Sequence, residues 1–210
     1  MVKWRDTNTK RRRASRDPKR RFLVVSEDAN SAPAYLRALA GVSNSIIDVI
    51  GGAGTPEVIA QTAIDHALDR GVIGKKRKGL AWYERTDQVW AVFDRDVHEH
   101  FDKGVRLCEE NGIHVARSNP CFEVWLILHM DDFHKPHDRH EVLDHLCGML
   151  PDYKHGKGKN VDYGKLLTAL EDAEKRAEKQ LEARKREGAE YGPPSTTVFR
   201  LTRSIWKKRP

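Results

Sequence analysis

Asp94 and Asp96 stand two residues apart, directly after the apolar run Gln88 to Phe93. Where a chain turns off a strand, two carboxylates at this spacing can point into one crevice, and a hard cation such as Mg²⁺ or Mn²⁺ offsets their repulsion. The competing reading is that the pair caps the next helix. Glu27 sharpens the choice, because it lies two residues past Val25 at the end of another apolar run. Two such strands side by side would present Glu27, Asp94 and Asp96 along one sheet edge, where α/β folds bind ligands. Glu27, with Asp28 beside it, reads equally as a solvated turn residue. Glu123 is a fourth candidate: the residues around it are apolar on nearly every side, so its charge needs a partner or a metal. Its alternative role is a first-turn glutamate favoured by a helix dipole.

Other chemistries find less support. His98 and His100 follow Asp96 but face different ways on a helix and read first as surface residues. His134, His137 and His140, near Asp131 and Asp132, match no zinc spacing, and Pro136 intervenes. Cys108, Cys121 and Cys147 form an odd set without a CxxC pair, so neither a disulfide framework nor a cysteine zinc site is signalled. No GxxxxGK[ST] loop and no nucleophile elbow occur, which removes P-loop and acyl-transfer chemistry.

The elements that must position these residues alternate. Strands are expected at Arg21 to Ser26, Ser45 to Ile50, Gln88 to Phe93 and Ile113 to Ala116. Helices are expected at Ala32 to Ala40, from Pro56 to about Arg70 with Gly71 as stop, and at Phe101 to Glu110. This spacing implies βαβ crossovers and a mostly parallel sheet flanked by helices on both faces. The second half changes character. Asn119 reads as the cap and Pro120 as the first residue of a helix through Met130, with a strand as competitor there. Further helices are expected at His140 to Leu150 and as one long arm from Tyr163 to about Glu187. Leu166, Leu170, Ala173, Ala177 and Leu181 trace its apolar stripe. Pro193 and Pro194 break the chain before a last helix with a Ser or Thr cap. The expected organisation is a basic tail over 1–20, an α/β core over 21–130 and a helical extension over 131–210.

Of the 210 residues, 39% are hydrophobic and 33% charged, enough for one real core under an ionic surface. The net charge of +7 is a property of the amino terminus. Met1 to Arg21 hold ten basic and two acidic residues, a balance of +8, leaving 28 basic and 29 acidic residues on the rest. Arg11, Arg12, Arg13, Lys19 and Arg20 in this tail, Lys76 and Arg77 in a basic loop, and Lys157 in the Tyr153 to Lys159 loop are candidate nucleic-acid contacts. The tail reads equally as a passive solubilising arm. The longest nearly uninterrupted apolar run, Val124 to Met130 with His129 inside it, is far short of a membrane span, and the basic amino terminus leads into no signal segment. A cytoplasmic protein that does not bind membranes is expected; the oligomeric state is not legible.

With Ser26-Glu27, Val92-Phe-Asp94-Arg-Asp96 and Ser118-Asn-Pro-Cys-Phe-Glu123-Val-Trp in view, the chain resembles the RloB-like family of Toprim-like nucleases. Pro193-Pro-Ser-Thr-Thr-Val-Phe-Arg-Leu also looks like that family's C-terminal segment, so the similarity runs from Phe22 to Ile205. The resemblance implies a Toprim-like α/β fold and a Mg²⁺-dependent endonuclease of bacterial antiphage defence, acting in abortive infection on DNA or RNA, tRNA included. It implies Asp94 and Asp96 as Mg²⁺ ligands, with Mn²⁺ as a substitute. Glu27 would be an acid, a base or a further ligand, and an ATPase encoded nearby a companion. Lys154, Lys157 or Lys159 would be the assisting lysine. Ser-Glu-Asp-Ala-Asn stands where relatives often show Glu-Gly, so the turn at Glu27 departs from the pattern. The alternative is a binding or regulatory module of this fold that does not cut. A phosphatase of the haloacid-dehalogenase type wants a Thr where His98 stands.

Overall fold

The computed structural model describes residues 18–81, 84–95, 100–135, 137–153 and 161–206, the side chain of Lys76 excepted. Its centre is a five-stranded sheet in the order β2-β1-β3-β4-β5. Strands β1 (Arg20–Ser26), β2 (Ser45–Ile50), β3 (Gln88–Asp94) and β4 (His114–Asn119) are parallel, and β5 (Ser195–Thr196) runs antiparallel to β4. The chain is an α/β protein.

Helices cover both faces, as the apolar strands require. Along β1, Phe22 and Val24 enter one core while Leu23 and Val25 enter the other; along β3, Trp90 and Val92 oppose Val89, Ala91 and Phe93. The smaller core is closed by α2 (Pro56–Asp69) and α3 (Phe101–Glu110). These helices meet closely at Gly104, where an added Cβ would lie 2.7 Å from the Pro56 carbonyl. The larger core lies beneath α1 (Ser31–Val42), α4 (Glu123–Leu128) and the helices after it, α5 (Arg139–Met149), α6 (Tyr163–Leu167), α7 (Leu170–Arg186) and α8 (Val198–Trp206). Val142, Leu146, Tyr163 and the stripe from Leu166 to Leu181 join Phe22 and Trp125 in that one cluster. None of the described helices is long and apolar enough to cross a membrane.

Four expectations about elements are corrected. Asn119 does not cap a helix: it is the last residue of β4, its side-chain amide donates to the Tyr191 carbonyl at 2.7 Å, and the peptide to Pro120 is cis. The helix starts only at Glu123. The long arm is two helices, because the Thr168 hydroxyl donates to the Lys165 carbonyl at 2.7 Å, a local bond that competes with the helical ladder. The basic loop is a short 3-10 helix over Lys75–Gly79. The segment after Pro194 adds β5 to the sheet: Thr197 N–H donates to the Arg117 carbonyl at 2.8 Å, and the Ser118 and Thr196 hydroxyls meet at 2.9 Å.

Candidate active site

The β1–β3 pairing sets Ser26 against Val92, so Glu27 leaves β1 beside the end of β3. Its N–H donates to the Val92 carbonyl at 3.3 Å, and its Oε2 accepts the Asp94 N–H at 3.4 Å. Glu27 is therefore a member of the sheet edge, turned toward Asp94. The departure at Asp28 has a physical reason. Its carboxylate accepts the N–H of Asn30 at 2.8 Å and of Ala32 at 2.9 Å, which caps the opening of α1. The loop after β2 packs on this turn through Gly51, where a Cβ would lie 3.0 Å from the Asp28 carbonyl and 2.7 Å from Pro33.

Asp94 is the last residue of β3, opposite Ser118 of β4, and is only 5% exposed. Burial first, then the charges of Glu123 and Glu27, hold its carboxyl well above the usual carboxylate range; Arg139 acts in the opposite sense. Glu123, the first residue of α4, is 2% exposed. Its Oε1 accepts the Tyr153 hydroxyl in a short hydrogen bond and the Ser31 hydroxyl at 3.2 Å, while Ser31 and Tyr153 meet at 2.8 Å. The Tyr153 hydroxyl is driven far up by burial and by Glu123. Cys121 is fully buried, and its thiol is likewise driven up by burial, then Glu123 and Asp94. Tyr163 is pushed up to about 12 by burial, then Asp28 and Glu123.

Three carboxylates from three elements, Glu27, Asp94 and Glu123, thus form one electrostatic unit at the carboxyl end of the parallel strands, with Arg139 as a neighbouring cation. Asp96, the fourth expected member, lies outside the described residues, as do His98 and the lysines of the Lys154 to Lys159 segment. Among the described residues no group of three His, Cys, Asp or Glu is arranged to hold a metal ion. The donor chemistry nevertheless fits a hard cation, since every candidate ligand is an oxygen. The buried hydroxyls of Ser26, next to Glu27, and Tyr163 have no hydrogen-bond partner among the described residues, which leaves polar capacity at this edge.

A family model described as RloB-like protein matches residues 22–205. The chain belongs to the RloB-like protein family. No curated protein and no solved structure matches it.

The family match spans both ends of the constellation, from β1 to α8. Ser31, Tyr153, Arg139 and Cys121 were not singled out from the sequence as site residues. A signal existed only for Ser31, which follows Glu27 at the start of α1, and for Tyr153, which opens the lysine-rich loop. Among the described residues, the expected nucleic-acid contacts Lys19, Arg20 and Arg77 are not gathered at the carboxylates; the side chain of Lys76 is not described. Arg20 begins β1 and donates to the Ser204 carbonyl at 2.8 Å, and Arg77 shares its cavity at the amino end of the strands. One strand length, about 20 Å, separates Arg20 from Glu27. Lys19 is exposed at the same end, whereas Arg11, Arg12, Arg13 and Lys157 lie outside the described residues. At the carboxylate end the exposed Arg95 follows Asp94 and is fixed by its N–H to the Ser118 carbonyl at 2.7 Å. His134 and His137 pair with Asp132 and Glu141 on the surface.

Proposed function

We propose that this RloB-like protein is a Mg²⁺-dependent nuclease that hydrolyses phosphodiester bonds of DNA or RNA, with tRNA within its range, as part of antiphage defence. The observation that carries this reading is the state of Asp94. Its carboxyl is raised first by burial and then by the charges of Glu123 and Glu27, a cost that a bound cation offsets. Glu27 and Asp94 would hold Mg²⁺ or Mn²⁺ together with Asp96, and Glu123 would complete the charge around them. When bound, such a cation neutralises the phosphate oxygens and makes a water more acidic.

The chain's own residues supply the rest. Glu27, oriented by the Asp94 N–H, would take or return a proton. Tyr153 and Ser31 both donate to Oε1 of Glu123 and hold it in one position. Arg95 and Arg139 offer positive charge to the phosphates flanking the cut. A cytoplasmic location, an ATPase encoded nearby as partner, and action through abortive infection belong to the same proposal and rest on family membership.

The test incubates the purified chain with mixed labelled DNA and RNA, with and without Mg²⁺ or Mn²⁺. Metal-dependent cleavage that disappears in Asp94→Ala supports the reading. Tight binding without cleavage under any metal would leave a nucleic-acid-binding module in its place.

A further inference from the structure

At the opposite end of the sheet a cavity of about 410 Å³ opens between the strand beginnings and α8, a size suited to a small ligand. Arg20, Arg77 and Arg85, drawn from three separate elements, line it. Each is anchored on a main-chain carbonyl: Arg20 on Ser204 at 2.8 Å, Arg77 on Val72 at 3.3 Å, Arg85 on Leu80 at 3.1 Å. At Arg77 and Arg85 a carbonyl orients the guanidinium without neutralising it. Arg77 and Arg85 form no ion pair with a carboxylate of the described residues, and each keeps further N–H donors. Asp87 is the carboxylate in this wall, and it accepts the Arg21 N–H at 3.0 Å. The lining is therefore net positive and pre-oriented, which lowers the cost of ordering it around an anion.

Two further features narrow the ligand. Guanidinium forks match phosphate oxygens in pairs, which favours phosphate over a monovalent anion. His114 lines the same cavity and stacks on Trp90 with ring centroids 4.8 Å apart, so a flat aromatic surface adjoins the cations. We infer that this cavity is a second phosphate-binding site, separate from the carboxylates, that takes the phosphate of a nucleotide, supplied either as a free mononucleotide or within a nucleic-acid strand. It needs no catalysis and stands independently of the nuclease reading.

The His114 ring is a local reporter. Its resonances in the full chain, identified by their loss in His114→Gln, are followed during titration with inorganic phosphate, adenosine monophosphate and a short single-stranded oligonucleotide. A saturable shift is expected with a phosphate-bearing probe, in the wild type and equally in Asp94→Ala. In Arg77→Ala/Arg85→Ala the affinity should fall about tenfold or more, with the other histidine signals in place to show a folded chain. Equal or tighter binding of the mononucleotide assigns the site to free nucleotides, and a response to the oligonucleotide alone assigns it to a strand phosphate. A His114 signal that none of the probes moves, or one that the double variant reproduces at wild-type affinity, overturns the inference.

Discussion

Tyr153 donates its hydroxyl proton to Oε1 of Glu123, joining the start of the loop after α5 to the first residue of α4 in the larger core. Both groups are buried, so this bond sets where the Glu123 charge sits relative to Asp94. Tyr153→Phe keeps the ring and removes the donor. Cleavage should fall about tenfold or more, as for other partners that orient a ligand. Stability should fall by about 1–3 kcal/mol, the range for a buried carboxylate that loses a partner. Cleavage rates beside urea unfolding check both halves, and an unchanged rate would reduce Tyr153 to a packing residue.

Asp94 offers the opposite balance. Its carboxyl is raised in the fold, so the folded chain binds a proton that the unfolded chain has released. For such a group stability is greatest at low pH and is lost as pH rises above the ordinary carboxyl range, near 4, through the raised folded value. Asp94→Asn removes the titration. The metal-free variant should melt at or above the wild-type temperature at pH 7, with the gap closing toward pH 4. A variant that melts clearly lower at pH 7 would mean that Asp94 is stabilised by a partner instead of strained by its neighbours.

His129 titrates in the other direction. Its Nδ1 lies 2.9 Å from the Trp125 carbonyl, which can only accept, so Nδ1 carries the proton and Nε2 receives the Tyr35 hydroxyl at 3.0 Å. Burial lowers its pKa from 6.5 to about 4, so below pH 6.5 the unfolded chain binds protons that the folded chain refuses. Stability tied to His129 is present above pH 6.5 and lost as pH falls toward 4, about 2 kcal/mol between pH 7 and pH 5. Urea midpoints at the two pH values should show a smaller drop for His129→Gln than for the wild type.

Gly104 tests the packing that braces β3 from the far side. A Cβ there would meet the Pro56 main chain at 2.7 Å, and backbone cannot yield as a side-chain tip can. Gly104→Ala should cost about 1–3 kcal/mol by overpacking, despite the better helix propensity of alanine. An unchanged midpoint would show that α2 and α3 can part freely.

The legibility of these features followed their physics. Strands β1 and β3 announced themselves because burial on two faces demands unbroken apolar runs, and Glu27 and Asp94 followed from where those runs end; β2, an edge strand interrupted by Asp48, showed only through its Ile and Val residues. β5 was hidden, since two polar residues carry no periodicity and its pairing is made by main-chain hydrogen bonds that any residue can form, with the Ser118 and Thr196 hydroxyls only adding to it. The start of α4 was misread because Asn-Pro is a common helix opening, whereas here Asn119 completes β4. Glu123 was legible as a buried charge in need of a partner. Its partners Ser31 and Tyr153 were not, because they arrive from 92 and 30 residues away, and only the packed core decides that distance.

Cleavage rate as a function of Mg²⁺ concentration, for the wild type and Asp94→Asn on labelled DNA and RNA, tests the central claim most directly. The wild type should be silent without the cation and cut one of the two substrates with saturable dependence on it. Asp94→Asn should be slower by at least about 100-fold at saturating cation while remaining folded. A wild type that never cuts, or an Asp94→Asn chain that cuts at the wild-type rate, would contradict the account.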